Sequence, residues 1–322
     1  MQSLQLATLV DEAPEGDQWL HEQKFDGYRI LATKTGDHVE LRSRRDKAWT
    51  KMFPTIATAI AKLPYERLIL DGEIAAVMPD GRTSFQALQN ALSGSQAALV
   101  YFAFDVLAID DEDLAKVPLE QRKQRLREVI TPAIEKKLPL KYSDHVVGNG
   151  GAFFELACKR GLEGIISKRR DQAYAGGRGK GWLKTKCILR QELVIGGFTE
   201  GEGSRNGIGS LLLGHYKNGA LIYAGKVGTG FTMKSLDDAI KRLAPLEQEA
   251  SPFTPMPPRA HTGPRVHWVA PKLVAEVAFS EWTDDGRLRH PSFQGLRLDK
   301  PANDVVREEP IVANSQPRRR RA

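Results

Sequence analysis

The chain has 322 residues, which is long enough for two domains. Of these residues 41% are hydrophobic and 27% are charged, a composition typical of soluble globular proteins. No apolar run approaches the ~20 residues that span a bilayer, and no basic segment followed by an apolar one opens the chain, so neither a membrane span nor a secretory signal is predicted. The net charge of +7 favours a polyanionic partner. Four of the positive charges belong to residues 318–321, a tail that we expect to be disordered. Cys158 and Cys187 are far apart in sequence and form no metal-binding pattern, which fits a reducing cytoplasm.

Residues 1–18 read as a short lead-in that covers the first strand. The stretch Glu22-Gln23-Lys24-Phe25-Asp26-Gly27-Tyr28-Arg29 then lies between two β-prone runs. We predict a hairpin with a tight turn at Asp26-Gly27 and with Lys24 at the end of its first strand. A lysine there can be a covalent nucleophile if burial, or a cationic neighbour such as Arg29, keeps its amine partly neutral. An ordinary solvated hairpin would contain the same residues.

The next two strands are predicted at residues 28–34 and 38–42. Arg44, just beyond them, could contact a phosphate or a ribose hydroxyl, or belong to a solvated basic turn. A helix is predicted from Phe53 to Leu63, and then a buried strand at residues 68–77. Its acidic residues are costly unless they are paired or bind a metal, so Glu73 is a candidate partner for a lysine or a divalent ion. A salt bridge at a strand bulge is the alternative.

Ser84 is a plausible N-cap for a short helix that follows. In the apolar strand at residues 99–107, Phe104 could line a cleft, although core packing is the simpler interpretation. A charged helix at residues 119–130 is expected at the surface. Glu163 precedes another apolar run, and if Glu163 and Glu73 meet, they would offer hard oxygen ligands to Mg²⁺.

A basic, glycine-rich loop is predicted at residues 174–181, before a strand at residues 182–187. Alternation along that strand places Lys184 and Lys186 on one face, which fits a phosphate-binding floor. The alternative is an exposed edge strand that its lysines protect.

About five short strands and one helix after residue 190 predict a small β-barrel. One of these strands is predicted to run from Val266 to Phe279. A segment at residues 288–300 closes the barrel, and its cationic end, with Arg297 and Lys300, could reach a phosphate. A bland basic terminus would look the same.

Seven short motifs, taken in order, resemble those of the covalent nucleotidyltransferase superfamily and specifically those of ATP-dependent DNA ligases. They are Lys24-Phe25-Asp26-Gly27-Tyr28-Arg29, Ser43-Arg44, Leu70-Asp71-Gly72-Glu73, Phe104-Asp105-Val106-Leu107, Glu163-Gly164-Ile165-Ile166-Ser167-Lys168, Trp182-Leu183-Lys184-Thr185-Lys186 and Arg297-Leu298-Asp299-Lys300. Trp182-Leu183-Lys184 and the run from Arg289 to Arg297 are similar to the ligase module of bacterial ligase D, the end-joining enzyme. That module usually carries Asn-Gly where this chain has Arg45-Asp46, so the departure concerns the turn beside Arg44.

The resemblance implies an α+β fold with two domains. An adenylation domain with mixed, mainly antiparallel sheets would occupy residues 1–188, an OB-fold β-barrel residues 189–312, and a basic tail residues 313–322. The implied reaction begins when Lys24 attacks the α-phosphate of ATP to form lysyl-AMP and release pyrophosphate. AMP then passes to the 5′-phosphate of a nick, and the 3′-hydroxyl displaces it to seal the strand.

The resemblance also implies a role for each candidate residue. Lys184 and Lys186 would hold the α-phosphate. Glu73 and Glu163 would place Mg²⁺ or Mn²⁺ and the ribose. Phe104 would stack on adenine, with Glu22 beside the base and sugar. Arg29 and Arg44 would grip the ribose or the 5′-phosphate of the nick, and Arg297, Asp299 and Lys300 would orient pyrophosphate once the barrel domain closes.

The expected partner is nicked double-stranded DNA with a 5′-phosphate and a 3′-hydroxyl, bound by a monomer. The resemblance leaves open whether the pathway is end joining with Ku or another repair route. Since Lys24 lies near the N-terminus, we expect a stand-alone minimal ligase or an excised module, without an N-terminal DNA-binding domain. An RNA ligase, an mRNA guanylyltransferase and a non-catalytic DNA-binding module that keeps the fold are the alternatives.

Overall fold

The computed structural model describes residues 3–92, 94, 96–187, 189–201, 208–263 and 265–309. Two compact units divide the chain, Met1–Cys187 and Ile188–Glu308. Both contain helices and strands, and the second contains a half-barrel sheet, which confirms the predicted two-domain α+β fold class. The predicted tail at residues 313–322 lies outside the described residues. None of the helices in the described part of the chain is long and apolar enough to cross a membrane.

The described residues of the first unit form twelve strands and four α-helices. In chain order they are β1 Gln5–Leu9, β2 Trp19–Gln23, β3 Tyr28–Thr35, β4 His38–Ser43, α1 Pro54–Ala61, β5 Arg67–Val77, β6 Thr83–Ser84, α2 Phe85–Leu92, β7 Ala98–Ile109, β8 Glu112–Asp113, α3 Leu119–Glu135, β9 Leu140–Tyr142, β10 His145–Val147, α4 Gly150–Lys159, β11 Gly164–Arg169 and β12 Gly177–Lys186, with a short 3-10 helix at Thr50–Met52.

Two sheets organise this unit. The first has the strand order β1-β12-β11-β2-β10, and the second β4-β3-β5-β7-β8, with β6 beside β5 and β9 beside β7. One face of the second sheet buries Ile30, Leu41 and Leu70 against Ile56 of α1 and Leu126 of α3. Burial of this apolar surface supplies most of the driving force for folding. The other face carries Asp71 and Glu73 together with apolar side chains such as Leu31 and Ile69.

The predicted hairpin around Lys24 is wrong, because β2 pairs with β10 and β11 in the first sheet while β3 pairs with β4 and β5 in the second. The segment between the two strands crosses from one sheet to the other. Gly27 is required there by close packing, since a Cβ at this position would lie 2.1 Å from the carbonyl oxygen of Ile74. Asp26 accepts the backbone N–H of Phe85 at 3.0 Å and so caps the start of α2. The predicted cap by Ser84 is confirmed by a 3.2 Å bond from the N–H of Ala87.

The N-terminal segment and the glycine-rich loop also differ from the prediction. Residues 5–9, expected in a lead-in, form a strand of the first sheet, and β12 begins at Gly177 inside the predicted loop. β1 runs parallel to β12, while β11 pairs with the opposite edge of β12. The alternative of an exposed edge strand at Lys184 and Lys186 is therefore wrong.

Two irregularities in the pairing of β5 with β7 aim side chains out of the second sheet. Asp71 pairs with Asp105 and Gly72 with Ala103, so Phe104 is an extra residue, and a second register shift leaves Leu107 without a directly opposite partner. Phe104 and Leu107 both pack in one cluster with Trp182 of β12. The bulges thus turn two apolar side chains towards the first sheet.

The charged helix predicted at the surface is α3, and the structure corrects that expectation. Arg122 and Lys123 are 0% and 3% exposed. Arg122 pairs with Asp105 of β7 at 2.7 Å. A count of charges along the helix could not reveal that two of them face inward towards acidic partners.

In the part of the second unit that the structure describes there are nine strands and two α-helices. In chain order they are β13 Leu189–Glu200, β14 Ile208–Lys217, β15 Ala220–Val227, α5 Met233–Leu243, β16 Glu247–Gln248, α6 Arg259–Thr262, β17 Val266–Val269, β18 Val274–Phe279, β19 Glu281–Trp282, β20 Leu288–Arg289 and β21 Ser292–Leu296, with 3-10 helices at Ala244–Leu246 and Ala302–Asp304.

β13 is the central strand of this unit, since it pairs with β14 along one edge and with β17 and β18 along the other. Its side chains Leu193 and Ile195 share a buried cluster with Leu236 of α5. The strand predicted from Val266 to Phe279 is broken between β17 and β18, where Pro271 lacks the N–H that a continuous strand needs.

A disulfide bond joins Cys158 in α4 to Cys187, the residue after β12, with a Cα–Cα distance of 5.1 Å. The two cysteines were expected to be unrelated residues in a reducing cytoplasm, so this bond was not predicted. Their separation in sequence gave no indication of the pairing. The bond lies beside the candidate site, because the N–H of Cys187 donates to the carbonyl oxygen of Glu163 at 2.9 Å.

We expect reduction of this disulfide to lower the free energy of unfolding by about 3 kcal/mol, because the bond closes a loop across a separation of 29 residues. Urea denaturation with and without a thiol reductant measures the change. The double variant Cys158→Ser, Cys187→Ser is the control and should not respond to reductant. An identical midpoint for the native chain in both conditions would contradict the bond.

Candidate active site

Lys24 lies where the two sheets of the first unit face each other, directly after β2. Its backbone N–H donates to the carbonyl oxygen of Gly164 at 2.9 Å, which joins the K-x-D-G stretch to the start of β11. Gly164 has a φ of +154°, and a Cβ there would lie 2.1 Å from the carbonyl oxygen of Thr185. Two motifs far apart in sequence are therefore held together through the backbone, and only glycine fits this position.

The ammonium group of Lys24 pairs with Glu163 Oε1 at 2.6 Å, and the lysine side chain is 23% exposed. Burial lowers the pKa of Lys24, but the carboxylates of Glu163, Glu73 and Asp26 outweigh it and raise the pKa above its ordinary value. The expectation that the amine is kept partly neutral is wrong for this state. Arg29, the predicted cationic neighbour, is paired elsewhere.

Arg29 binds Asp71 through two hydrogen bonds, 3.0 Å from Nε and 2.6 Å from the terminal nitrogen. Asp71 is fully buried and also accepts the hydroxyl of Tyr174 at 2.7 Å. The other terminal guanidinium nitrogen donates to the carbonyl oxygen of Gln5 in β1 at 2.7 Å. Arg29 thus connects the two sheets, and a bidentate arginine–carboxylate pair fixes its orientation.

Strand register places the remaining candidate side chains of the first sheet on one face. Ile166 of β11 lies opposite Glu22 of β2 on one side and opposite Lys184 of β12 on the other. In the same register, Lys168 lies opposite Trp182, and Gly164 lies opposite Lys186. Directly paired residues point to the same side of a sheet, as do residues two apart. Glu22, Lys168, Trp182, Lys184 and Lys186 therefore share the face that meets Phe104.

Glu22 is 2% exposed. Both of its carboxylate oxygens accept a hydrogen bond from Lys168 Nζ, at 3.0 Å each. Lys123 of α3 lies 3.0 Å from the same carboxylate, and Ser143 donates its hydroxyl at 2.8 Å. Burial raises the pKa of Glu22, but the two lysines outweigh it and lower the pKa below its ordinary value. Glu22 is therefore a buried carboxylate anion in this state.

An aromatic surface borders this carboxylate. The rings of Phe104 and Trp182 meet edge to face with centroids 5.9 Å apart. The ammonium group of Lys168 lies 4.4 Å and 4.3 Å from their centroids, and the guanidinium of Arg29 lies 5.3 Å from the Phe104 ring. A flat, electron-poor nucleotide base would stack on the same rings that these cations contact.

Sequence reasoning missed three groups of the site. Lys168 ends a motif that was identified, yet no role was assigned to it. Asp71 was noted only as a costly acid. Lys123 gave no usable signal, because a lysine in a charged helix is usually solvated.

Arg44 is not brought into this cluster. It is exposed on the turn that follows β4, where the N–H of Asp46 donates to the carbonyl oxygen of Ser43 at 2.8 Å. Asp46 has a φ of +61°, in the left-handed region that glycine favours. The aspartate therefore adopts the turn conformation that the usual glycine would have there.

Arg297 and Lys300 belong to the second unit and form ion pairs within it. Arg297 contacts Glu276 and Asp299 at 2.8 Å each, and Lys300 contacts Glu192. Burial raises the pKa of Glu192, but Lys300 and Arg297 outweigh it and lower the pKa to about 2. The cationic end predicted for this segment is thus neutralised by acidic partners of its own unit.

Of the two predicted metal ligands, Glu163 contacts the ammonium group of Lys24, and the carboxylate of Glu73 also raises the pKa of Lys24. Mg²⁺ in proteins commonly binds one or two carboxylates together with substrate phosphates and water. This donor set fits such an ion. Within the described residues no group of three or more histidine, cysteine, aspartate or glutamate side chains is placed to hold a metal ion.

Comparison with known proteins identifies the family. The model of the ATP dependent DNA ligase domain matches residues 4–186, and that of the ATP dependent DNA ligase C terminal region matches residues 204–300. The multifunctional non-homologous end joining protein LigD of Pseudomonas aeruginosa is 43% identical over 310 residues, which are 95% of this chain and 36% of that protein. The DNA ligase of Thermococcus onnurineus is 32% identical over 318 residues, covering 92% of this chain and 54% of that protein.

Solved structures agree with this result. The mycobacterial DNA ligase D complexed with ATP and MES is 37% identical with a TM-score of 0.71, over 95% of this chain and 98% of that one. The ligase domain of LigD from Mycobacterium tuberculosis is 38% identical with a TM-score of 0.52, over the same shares. The chain spans from about a third to about half of the curated relatives it matches. Since one family model matches more than half of the chain, the protein belongs to the family of ATP-dependent DNA ligases.

Proposed function

We propose that this chain seals nicks in duplex DNA, using ATP to form a covalent lysyl-AMP on Lys24. The observation that carries the proposal is the contact of Lys24 with Glu163, at the end of β2 in the sheet whose one face holds Glu22, Lys168, Lys184 and Lys186. Family membership supports the same chemistry. We further propose that the protein acts as a cytoplasmic monomer in DNA repair, and in end joining with Ku where that partner is present.

Lys24 Nζ must lose a proton before it can attack the α-phosphate of ATP. Glu163 Oε1, at 2.6 Å, is an acceptor within hydrogen-bond distance. The new bond joins Nζ to the α-phosphorus, and the bond to the β-phosphate oxygen breaks, so that pyrophosphate leaves. Transfer of AMP to the 5′-phosphate of the nick frees Lys24, and attack by the 3′-hydroxyl then releases AMP.

Positioning and charge stabilisation supply most of the catalysis in such transfers. Lys184 and Lys186, on the face that carries Lys168, would hold the α-phosphate oxygens. Glu73 and Glu163 would hold Mg²⁺ or Mn²⁺, which when bound neutralises charge on the phosphates. Phe104 would stack on the adenine, with Glu22 at the edge of the base and sugar. Arg29 would bind the ribose from its fixed place on Asp71.

We propose that Arg297, Asp299 and Lys300 orient the pyrophosphate leaving group, as their motif implies. To bind pyrophosphate, Arg297 must leave its ion pairs with Glu276 and Asp299, and Lys300 must leave its ion pair with Glu192. Arg44, exposed beyond β4, would contact the 5′-phosphate of the nick. The domain limits at residues 188 and 312 are part of the same proposal.

Replacing the nucleophile tests the central step. With α-labelled ATP and Mg²⁺, the native chain should retain label after denaturation and Lys24→Ala should retain none, because the proposal assigns the other lysines of the site to binding the nucleotide. Treatment with pyrophosphate beforehand removes any AMP already bound. The control is Lys62→Ala, at an exposed lysine directly after α1. This variant should label as the native chain does.

Substrate choice is measured with the same preparation. The native chain should seal a nicked DNA duplex carrying a 5′-phosphate. Sealing of nicked RNA alone, or labelling by GTP in place of ATP, would contradict the DNA ligase assignment and favour the RNA ligase or guanylyltransferase. DNA binding without any labelling would favour the non-catalytic module.

Lys300→Met tests the role of the terminal motif. Label transfer from ATP should slow about 10- to 100-fold, because a cation that stabilises the leaving pyrophosphate is lost. Sealing of a nick that already carries a 5′-adenylate should be unchanged, because no pyrophosphate leaves in that step. Lys272→Met, at an exposed lysine of the same unit, is the control. Equal slowing of both reactions would contradict the assigned role.

An open cleft in the second unit offers a contact for the duplex. It is lined by Lys226, Thr229 and His290 together with Gly209 and Gly228. Cations, hydroxyl groups and backbone N–H groups are the donors that bind DNA phosphates without reading sequence. We therefore assign this cleft to the phosphate backbone of the nicked substrate.

Lys226→Ala should weaken binding of nicked duplex and reduce the slope of log affinity against log salt by about 1, since one phosphate contact is lost. Fluorescence anisotropy at several salt concentrations measures both. Self-adenylylation should not change. The matched control is Lys241→Ala, which removes one exposed positive charge from α5. If Lys226→Ala and the native chain had the same salt slope, the cleft would not be part of the DNA-binding surface.

A further inference from the structure

Lys123 is a buried charge for which the proposed reaction gives no use. It is 3% exposed and lies on the inward face of α3, between Leu119 one turn before it and Leu126 one turn after it. A residue of similar length without charge, such as methionine, would pack in that apolar stripe without the cost of removing an ammonium group from water. The position is therefore better explained by what the ammonium group contacts.

Those contacts converge on one carboxylate. Lys123 Nζ lies 3.0 Å from Glu22 Oε1, donates to the carbonyl oxygen of Ser143 at 2.8 Å and lies 4.1 Å from the centroid of the Tyr142 ring. Lys168 contacts the same carboxylate, so two ammonium groups serve one acid. Asp105, the other buried acid nearby, is already paired with Arg122. The cluster of Glu22, Lys123 and Lys168 thus carries one positive charge in excess.

The two lysines are not equivalent. Lys168 lies against the Phe104 and Trp182 rings, where an arriving base would stack, whereas Lys123 approaches from α3 and touches neither of those rings. Burial and the neighbouring Lys168 lower the pKa of Lys123, while Glu22 raises it, and the result is a pKa of about 8.

We propose that Lys123 is a positioning residue for base recognition: it holds the Glu22 carboxylate at the edge of the nucleotide site when the base occupies the aromatic surface, and so sets the preference for adenine over other purines. The inference rests on the proposed function, because it requires Glu22 to lie beside the base. Lys123 itself does not touch the nucleotide. Its effect should appear in the choice of base more than in the rate of the chemical step.

The test compares self-adenylylation with ATP and self-guanylylation with GTP, each labelled at the α-phosphate. Lys123→Met should raise KM for ATP about tenfold with little change in kcat, and should reduce the ratio of kcat/KM for ATP to that for GTP about tenfold, because one charge-assisted contact that orients Glu22 is lost. Lys123→Arg, which keeps the charge, should restore most of the ratio. Lys136→Met, at an exposed lysine that follows the same helix, should behave as the native chain.

A merely structural role predicts a different result. It would lower the labelling by both nucleotides equally or lower only the thermal midpoint, and a native ATP-to-GTP ratio in folded Lys123→Met would overturn the inference. If that variant does not fold, Lys123→Gln, which keeps a donor without the charge, gives the same comparison. A native chain that takes no label from either nucleotide after pyrophosphate treatment would overturn the proposed function itself, and the inference with it.

Discussion

Buried charge between the two sheets of the first unit is the constraint on which the site depends. Glu22, Asp71 and Glu163 are carboxylates with little or no exposure, and each is paired with a cation at 2.6–3.0 Å. Taking such groups out of water is costly, and removing one partner of a buried pair costs about 3–5 kcal/mol, because the other charge is left uncompensated. The pairs therefore hold one another in place. A nucleotide would meet cations and acids whose orientation is already set, which is the condition for electrostatic catalysis.

The backbone supports this arrangement at a few points. Gly164 lets β11 approach Thr185 and receive the N–H of Lys24, and Gly27 lets the crossing segment approach Ile74. The bulge at Phe104 turns an aromatic ring from the second sheet towards the first. Each feature belongs to a motif that looks like a short string of residues in sequence. In the structure each is a place where two chain segments come closer, or diverge further, than regular strands allow.

Several parts of this picture could be predicted from the sequence because they break a local rule. Acidic residues within the apolar strand β5, and two lysines alternating on β12, have no place in an ordinary core, so they could be identified as candidate site residues. The path of the chain was not: consecutive strands on either side of Lys24 look like a hairpin, and only tertiary pairing assigns them to different sheets. Lys123 was hidden for the opposite reason, since a charged helix normally faces water. The bond between Cys158 and Cys187 joins residues whose spacing has no recognisable pattern.

We propose that Lys24 alone forms the covalent bond to AMP. The decisive measurement is peptide mapping by mass spectrometry, on native protein incubated with ATP and Mg²⁺ and digested at alkaline pH, where a phosphoramidate survives. We expect AMP on the peptide that contains Lys24 and on no other. AMP on a peptide containing Lys168, Lys184 or Lys186 instead would contradict it, because those lysines share the site but are assigned to binding the substrate.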